Sequence, residues 1–332
     1  MRWRPFQTCD LAECLPMDRL SMGHELLGRK QAFAAWETLT RSPAFIGALV
    51  EADRPVAGSR IVGFGCTAFV TDDFALRELA DPRPGLNARI LAGVSKGPAV
   101  TLTRDQIARG NRSSGLFAVI LMSVLRDGDL RETEIDEALS TLLAAALHCH
   151  TGFRLRMLLR EAVGAANIQH VLWQKVFRLA SNYEEFHRRN PGSDWSQERM
   201  LFNLDAASAR AVAGTFYHSI FQCREPVLEL RKVEQDLLTA ALGGLTDDEL
   251  VRTLDLKMST VKKRWVSILN RVSLRGPEIL PDDSHSGDSR GRQRRHHLLA
   301  YLRQHPEELR PWARPKSSRH RRVTTMPLRN LA

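Results

Sequence analysis

Residues 230–273 read LRKVEQDLLTAALGGLTDDELVRTLDLKMSTVKKRWVSILNRVS. Leu237, Leu238, Ala241 and Leu242 recur at helical spacing, which predicts an amphipathic helix over 231–243. Gly243-Gly244 ends it, because glycine enters left-handed backbone at little steric cost. Thr246-Asp247-Asp248-Glu249 has the form of a capping box, in which Thr246 accepts from the N–H three residues on and Glu249 reaches back. A second helix follows with Leu250 and Leu254 inward, and Asp255-Leu256 makes a tight turn. The third helix is predicted from Met258 to Val272. Its apolar stripe is Val261, Trp265, Ile268 and Val272, and its other faces carry Ser259, Lys262, Lys263, Arg264, Ser267 and Arg271.

A short helix, a tight turn and a basic helix is the helix-turn-helix layout, whose second helix enters the major groove. Lysine and arginine there neutralise phosphates, while small polar side chains near the helix start reach base edges. A charged surface helix without a nucleic-acid partner is the plain alternative. The stretch resembles the LuxR/GerE-type helix-turn-helix of bacterial transcription regulators, without a gap over 230–273. The residues that carry the likeness are Leu230, Glu234 and Asp236, then Gly244-Leu245-Thr246, Glu249-Leu250-Val251, Leu254-Asp255-Leu256-Lys257 and Thr260-Val261-Lys262. Val251 replaces a small alanine, Asp255 a turn glycine and Lys257 a capping serine. Aspartate tolerates left-handed backbone better than most residues. The resemblance implies an all-α DNA-binding domain over 228–274. It places Lys257, Met258, Ser259, Thr260, Lys262, Lys263, Arg264 and Arg271 at the DNA, with Trp265 structural.

The net charge of +10 on 332 residues is unevenly placed. From Arg290 to Ala332 there are eleven Arg and one Lys against Glu307 and Glu308, so this end carries the whole excess. Such a segment suits a polyanionic partner. The five cysteines are widely spaced with no C-x-x-C, which argues against a disulfide framework. The N-terminus lacks the apolar core of a signal peptide, and the run from Leu116 to Leu125 is too short to span a bilayer. A soluble, cytoplasmic protein is expected.

Working outward from the helical stretch, 18–41 predicts an amphipathic helix with Leu26, Leu27, Phe33, Ala34 and Trp36 partly inward. The runs 44–51 and 60–70 flank a Pro/Gly/Asp turn and read as a β-hairpin. Leu116–Leu125 reads as a buried strand, 132–149 as a helix, 153–162 as a strand or a helix, with strand preferred, and 167–175 as a helix. VFRLAS reads as a short strand and 206–221 as an amphipathic helix. That order is an α/β pattern. Its outline is similar to the GNAT acetyltransferase family over 18–190, above all the run RIVGFGCTAFV after a helix and hairpin. The family's Gln/Arg-x-x-Gly-x-Gly/Ala loop for the diphosphate of acetyl-CoA is not found. Arg109–Gly115 is Gly-rich and basic but precedes a strand, so it reads as a surface turn.

His148-Cys149-His150 does not make a metal site, since i and i+2 neighbours on a helix do not converge. Asp72-Asp73 follow an apolar run but lack the rest of a phospho-receiver pattern. Trp36, Trp173, Trp195 and Phe216 read as core. After Ser273, a Pro-containing polar linker leads to a short helix in 296–312, which either docks back as a fourth helix or stays free. The last segment is basic and expected to be disordered.

The expected protein thus has an α/β domain over 1–225, degenerate GNAT-like in outline, that senses or interacts. The helix-turn-helix over 228–274 and a linker, helix and basic flexible tail over 275–332 complete it. The expected function is sequence-specific transcription regulation, with no catalytic residues, cofactor or metal. Expected partners are double-stranded DNA, a second copy, and a small-molecule effector or RNA polymerase, with no membrane. The alternative is an acyl-CoA-dependent N-acetyltransferase-like protein that the C-terminal domain targets to DNA.

Overall fold

The computed structural model describes residues 1–17, 26–97, 100–126, 130–193, 198–280 and 290–313, the side chains of 290–292 excepted. Trp195, the start of the 18–41 helix, much of the linker and the basic end 314–332 lie outside the described residues.

Seven strands form one mixed sheet: β1 (Arg2–Pro5), β2 (Phe45–Val56), β3 (Ser59–Val70), β4 (Leu116–Leu125), β5 (Leu155–Val163), β6 (Arg178–Ser181) and β7 (Arg199–Asp205). Their order is β1-β2-β3-β4-β5-β7-β6. Every neighbouring pair is antiparallel except β4–β5, which is parallel. The parallel pair needs a crossover, and helix α6 (Glu132–His150) supplies it. The hairpin forms as expected, with longer strands and a turn at Ala57-Gly58, both at positive φ.

Alternation along the strands sends residues to two cores. On one face, Leu49, Phe64, Val119 and Leu159 pack with α1 (Leu11–Cys14), α2 (Arg29–Thr40), α3 (Asp72–Ala80) and α4 (Leu86–Lys96). On the other, Ala118, Leu158, Ala162 and Phe202 meet α5 (Arg104–Arg112), α7 (Ala165–Trp173), α9 (Ala206–Ala211) and α10 (Phe216–Ile220). Between β6 and β7 runs α8 (Glu184–Arg189).

Several sequence expectations change here. The helix expected over 18–41 is α2, and it buries Ala32, Ala35, Trp36 and Leu39 at i, i+3, i+4 and i+7. Phe33 and Ala34 are exposed instead. Residues 206–221 form two short helices because Gly214, at φ +82°, breaks the run. Trp173 is 72% exposed and not core. Arg109–Arg112 close α5 in place of a surface turn, and Asn111 is wholly buried.

The C-terminal helices are α11 (Lys232–Leu242), α12 (Asp247–Thr253), α13 (Met258–Arg275) and α14 (Arg290–Gln304). Thr246 Oγ1 accepts from Glu249 N (3.3 Å), and Glu249 Oε2 accepts from Thr246 N (2.8 Å), which forms the capping box. Asp255 sits at φ +49° in the turn before α13. Leu237, Leu250, Val261, Trp265 and Ile268 share a core with Leu298 and Leu302 of α14. The helix after the linker is therefore docked. Arg295 lies over the Trp265 ring at 4.5 Å and pairs with Asp247 at 3.0 Å.

Residues 306–313 strap these helices to the sheet domain. Glu308 accepts from Val227 N and Leu228 N (2.9 Å each), and Gln235 Nε2 donates to Arg310 O (2.8 Å). On the other side, Asn111 Nδ2 donates to Pro311 O (2.8 Å). Arg310 donates to Thr151 O (3.0 Å) and His148 O (3.1 Å) at the end of α6.

Candidate active site

The parallel β4–β5 ladder stops after Ile120↔Arg160. Glu161–Val163 of β5 go on pairing with β7, and β4 goes on pairing with β3, but the two strands part from each other. The cause lies in β4. Its register with β3 jumps from Cys66↔Met122 to Thr67↔Ile120, so Leu121 is an extra residue in a β-bulge that bends the strand. Asn87 of α4, itself buried, donates from Nδ2 to Leu121 O at 2.7 Å and so satisfies the displaced carbonyl. The result is a cleft walled by Leu121–Leu125 on one side, Arg160–Val163 on the other, and Asn167 of α7. Two strand edges facing across a gap offer backbone donors and acceptors to an extended ligand.

A second, apolar cavity of about 100 Å³ lies between the sheet, α6 and α10. Leu139, Leu142, Leu143, Leu158, Phe216 and Ile220 line it, and Ile120, Met122, Ser123 and Arg160 wall both it and the cleft. Thr67 and His150 also line it. Thr67 Oγ1 lies 2.9 Å from His150 Nε2, and His150 Nδ1 lies 2.7 Å from Ala146 O. The carbonyl can only accept, so Nδ1 carries the hydrogen and Thr67 donates to Nε2. Burial lowers the His150 pKa to about 4, so the ring is neutral at ordinary pH.

Glu161 on β5 is buried beside the cleft but fully engaged. Oε1 accepts from Gly85 N (2.8 Å) and Tyr183 OH (2.8 Å), and Oε2 from Leu86 N (3.1 Å) and Arg199 (3.1 Å). Its role is to tie the start of α4, and so Asn87, to β5. A carboxylate with four donors is a tether rather than a base. The start of α6, at the open end of β4, is acidic. Glu132 and Glu134 lie in its first turn, and Arg131 and Arg54 hold Glu134 ionised, its pKa lowered to about 2. Carboxylates occupy the positive end of that helix, where a diphosphate would otherwise be favoured.

Sequence reasoning missed Asn87, Ser123, Arg160, Glu161 and the Thr67–His150 pair. It singled out His148-Cys149-His150 only to dismiss a metal. Among the described residues no group of three or more His, Cys, Asp or Glu is placed to hold one. The sequence-predicted DNA residues lie elsewhere, along α13. Lys257, Ser259, Lys262 and Lys263 are exposed, while Met258, Thr260 and Arg264 are half-buried. Arg271 stands apart, because its Nε donates to the buried Glu234 at 3.1 Å and thereby braces α13 against α11. That pairing turns Arg271 inward, unlike the exposed Lys262 and Lys263.

No protein-family model matches the chain, and no curated protein matches it. Among solved structures, it is similar to one from Klebsiella pneumoniae described as an acyl-CoA N-acyltransferase. The identity is 10% over 61% of this chain and 95% of that one, with a TM-score of 0.28. It is also similar to NAA60 of Arabidopsis thaliana, solved with a bisubstrate analogue: 13% identity, 61% and 97% coverage, TM-score 0.32. The expectation that the chain is not an enzyme is corrected to this extent: a structure it matches is described as an acyl-CoA N-acyltransferase, and that expectation is not kept. The mixed seven-stranded sheet with helices on both faces agrees with the α/β pattern expected from the sequence. At these TM-scores the superposition is loose, and only the chain's own geometry bears on what its site does. No helix among the described residues is long and apolar enough to cross a membrane.

Proposed function

We propose that the sheet domain is an acyltransferase that binds the pantetheine arm of an acyl thioester in the β4–β5 cleft. The observation that carries this reading is the strand separation after Ile120↔Arg160, held open by the bulge at Leu121 and its Asn87 tether. The amides of a pantetheine arm match such edges, as an added strand would. The residues fit the arm and do not fit the diphosphate of coenzyme A, given Glu132 and Glu134 at the start of α6. Transfer to an amine would form a C–N bond, break the C–S bond, and leave the thiol with the proton the amine gives up. The fold's share in that step is to hold donor and acceptor together and exclude water. Among the described residues the cleft holds no carboxylate or imidazole we would assign as a base.

The test is calorimetric titration of the full chain with acetyl-pantetheine and acetyl-CoA. The account predicts binding of both with Kd values within about threefold of each other, since the nucleotide adds little. Ser123→Trp, at an exposed position that walls the cleft, should abolish both without moving the thermal midpoint. Failure of either thioester to bind at millimolar concentration refutes the reading.

A second reading is favoured by α13, whose exposed Lys262 and Lys263 face away from the helical core. The helical unit would then bind DNA through this row. Lys262→Ala should weaken binding equally on all sequences and lower the salt slope by about one. An unchanged slope would remove α13 from the interface.

A further inference from the structure

We infer that the apolar cavity under α6 is an acyl-chain site, so that the transferred group is a chain of about four to six carbons rather than acetyl. The inference rests on the thioester reading of the cleft.

Continuity is the first argument. Ile120, Met122, Ser123 and Arg160 wall both the cleft and the cavity. The two spaces therefore lie side by side with one common wall, within reach of a chain attached to a thioester in the cleft. Size is the second. An apolar cavity of ~150 Å³ holds benzene, six carbons. The roughly 100 Å³ here suits about four, and the carbonyl and its neighbour carbon remain in the cleft.

Chemistry is the third argument. The walls are Leu139, Leu142, Leu143, Leu158, Phe216 and Ile220. Of its polar members, Thr67 and His150 are spent on each other and on Ala146 O, Tyr217 donates to Gln174 Oε1 (2.8 Å), and Ser123 and Arg160 stand on the wall shared with the cleft. With Nε2 accepting and Nδ1 donating inside the protein, the ring presents no free hydrogen to the cavity. An acetyl group would leave this space to be filled by water that finds few partners, which is unfavourable in an apolar cavity. A longer chain displaces it. The rim is apolar too: Leu139 and Leu143 remain 40% and 38% exposed, as expected of a surface that a ligand completes.

The test is titration of the full chain with acetyl-, butyryl-, hexanoyl- and decanoyl-pantetheine. Affinity should rise about fourfold per methylene buried, hence about tenfold or more from acetyl to butyryl, level off at hexanoyl and fall at decanoyl. Two variants move the optimum in opposite directions. Ala146→Leu fills the cavity from α6, so the butyryl-to-acetyl affinity ratio should fall to near one. Ile220→Ala enlarges it and should shift the optimum to a longer chain. If Ile220→Ala does not fold, Ala146→Leu alone decides. Equal affinity for the two-, four- and six-carbon thioesters, or a ratio that survives Ala146→Leu, overturns the acyl-chain site and leaves the cleft reading standing. No binding of any thioester, acetyl included, overturns both.

Discussion

The imidazole of His150 lies inside the protein with both nitrogens engaged, and burial lowers its pKa from 6.5 to about 4, with Arg310 adding to the shift. The consequence for stability has a definite sign. Above pH 6.5 the ring is neutral folded or unfolded, and it contributes no pH dependence. Between pH 6.5 and 4 the unfolded chain takes up a proton that the folded chain refuses, so stability is lost as pH falls through that window. The loss should be about 2 kcal/mol between pH 7 and 5. Urea unfolding at the two pH values should show it, and the difference should shrink in His150→Gln; an identical difference in the variant would assign it to other groups. Thr67→Val keeps the shape but leaves Nε2 without a donor, which should cost about 1–3 kcal/mol at pH 7. This pair was only half legible in the sequence. His150 drew notice through its neighbours His148 and Cys149, but its partner is 83 positions away on another element. No local spacing announces such a contact.

Among the elements, some governed by local rules could be read in advance, though α3, α4 and α5 were not, despite the caps at Thr71 and Thr103. The capping box at Thr246 and the four-residue stripe of α13 are written in adjacent positions, and α11, α12 and α13 begin and end within a few residues of the expected bounds. Asp255 was expected to take the left-handed turn and does so, at φ +49°. Asp255→Val should therefore cost about 1–2 kcal/mol through backbone strain alone, whereas Asp255→Gly should be nearly neutral in the same thermal melt. Elements that depend on distant partners were missed. Strand β1 has four residues, and β7 is recognisable only by its pairing with β5 and β6. The strap 306–313 also has no local signature, though Gly152 records it. Gly152 sits at φ +87°, and a Cβ there would lie 2.4 Å from Glu307 Cα. Gly152→Ala should push the strap off α6 and separate the unfolding of the C-terminal helices from that of the sheet. Calorimetry should then show two transitions in the variant; one unbroken transition would mean the strap contributes little to the coupling.

At the scale of the whole molecule, three features converge on one place. The bulged β4, the end of the β4–β5 ladder and the apolar cavity all meet at Ile120, Met122, Ser123 and Arg160. The sequence predicted β4 and β5 as strands but not their separation, because parting depends on an extra residue in register and on Asn87, 34 positions from the carbonyl it holds. The first turn of α6, at the same end, carries Glu132 and Glu134. The docked α14 and the strap add a helical unit whose core is its own. Its exposed lysines leave a nucleic-acid partner as a separate question from the chemistry of the cleft. The measurement that bears most directly on that chemistry is amide hydrogen exchange of the full chain with and without acetyl-pantetheine. The account predicts slowed exchange confined to 120–125 and 160–163, the two edges of the cleft. Protection instead at the cavity between the units, around Arg112, Gln235 and Trp312, or no protection anywhere, would contradict it.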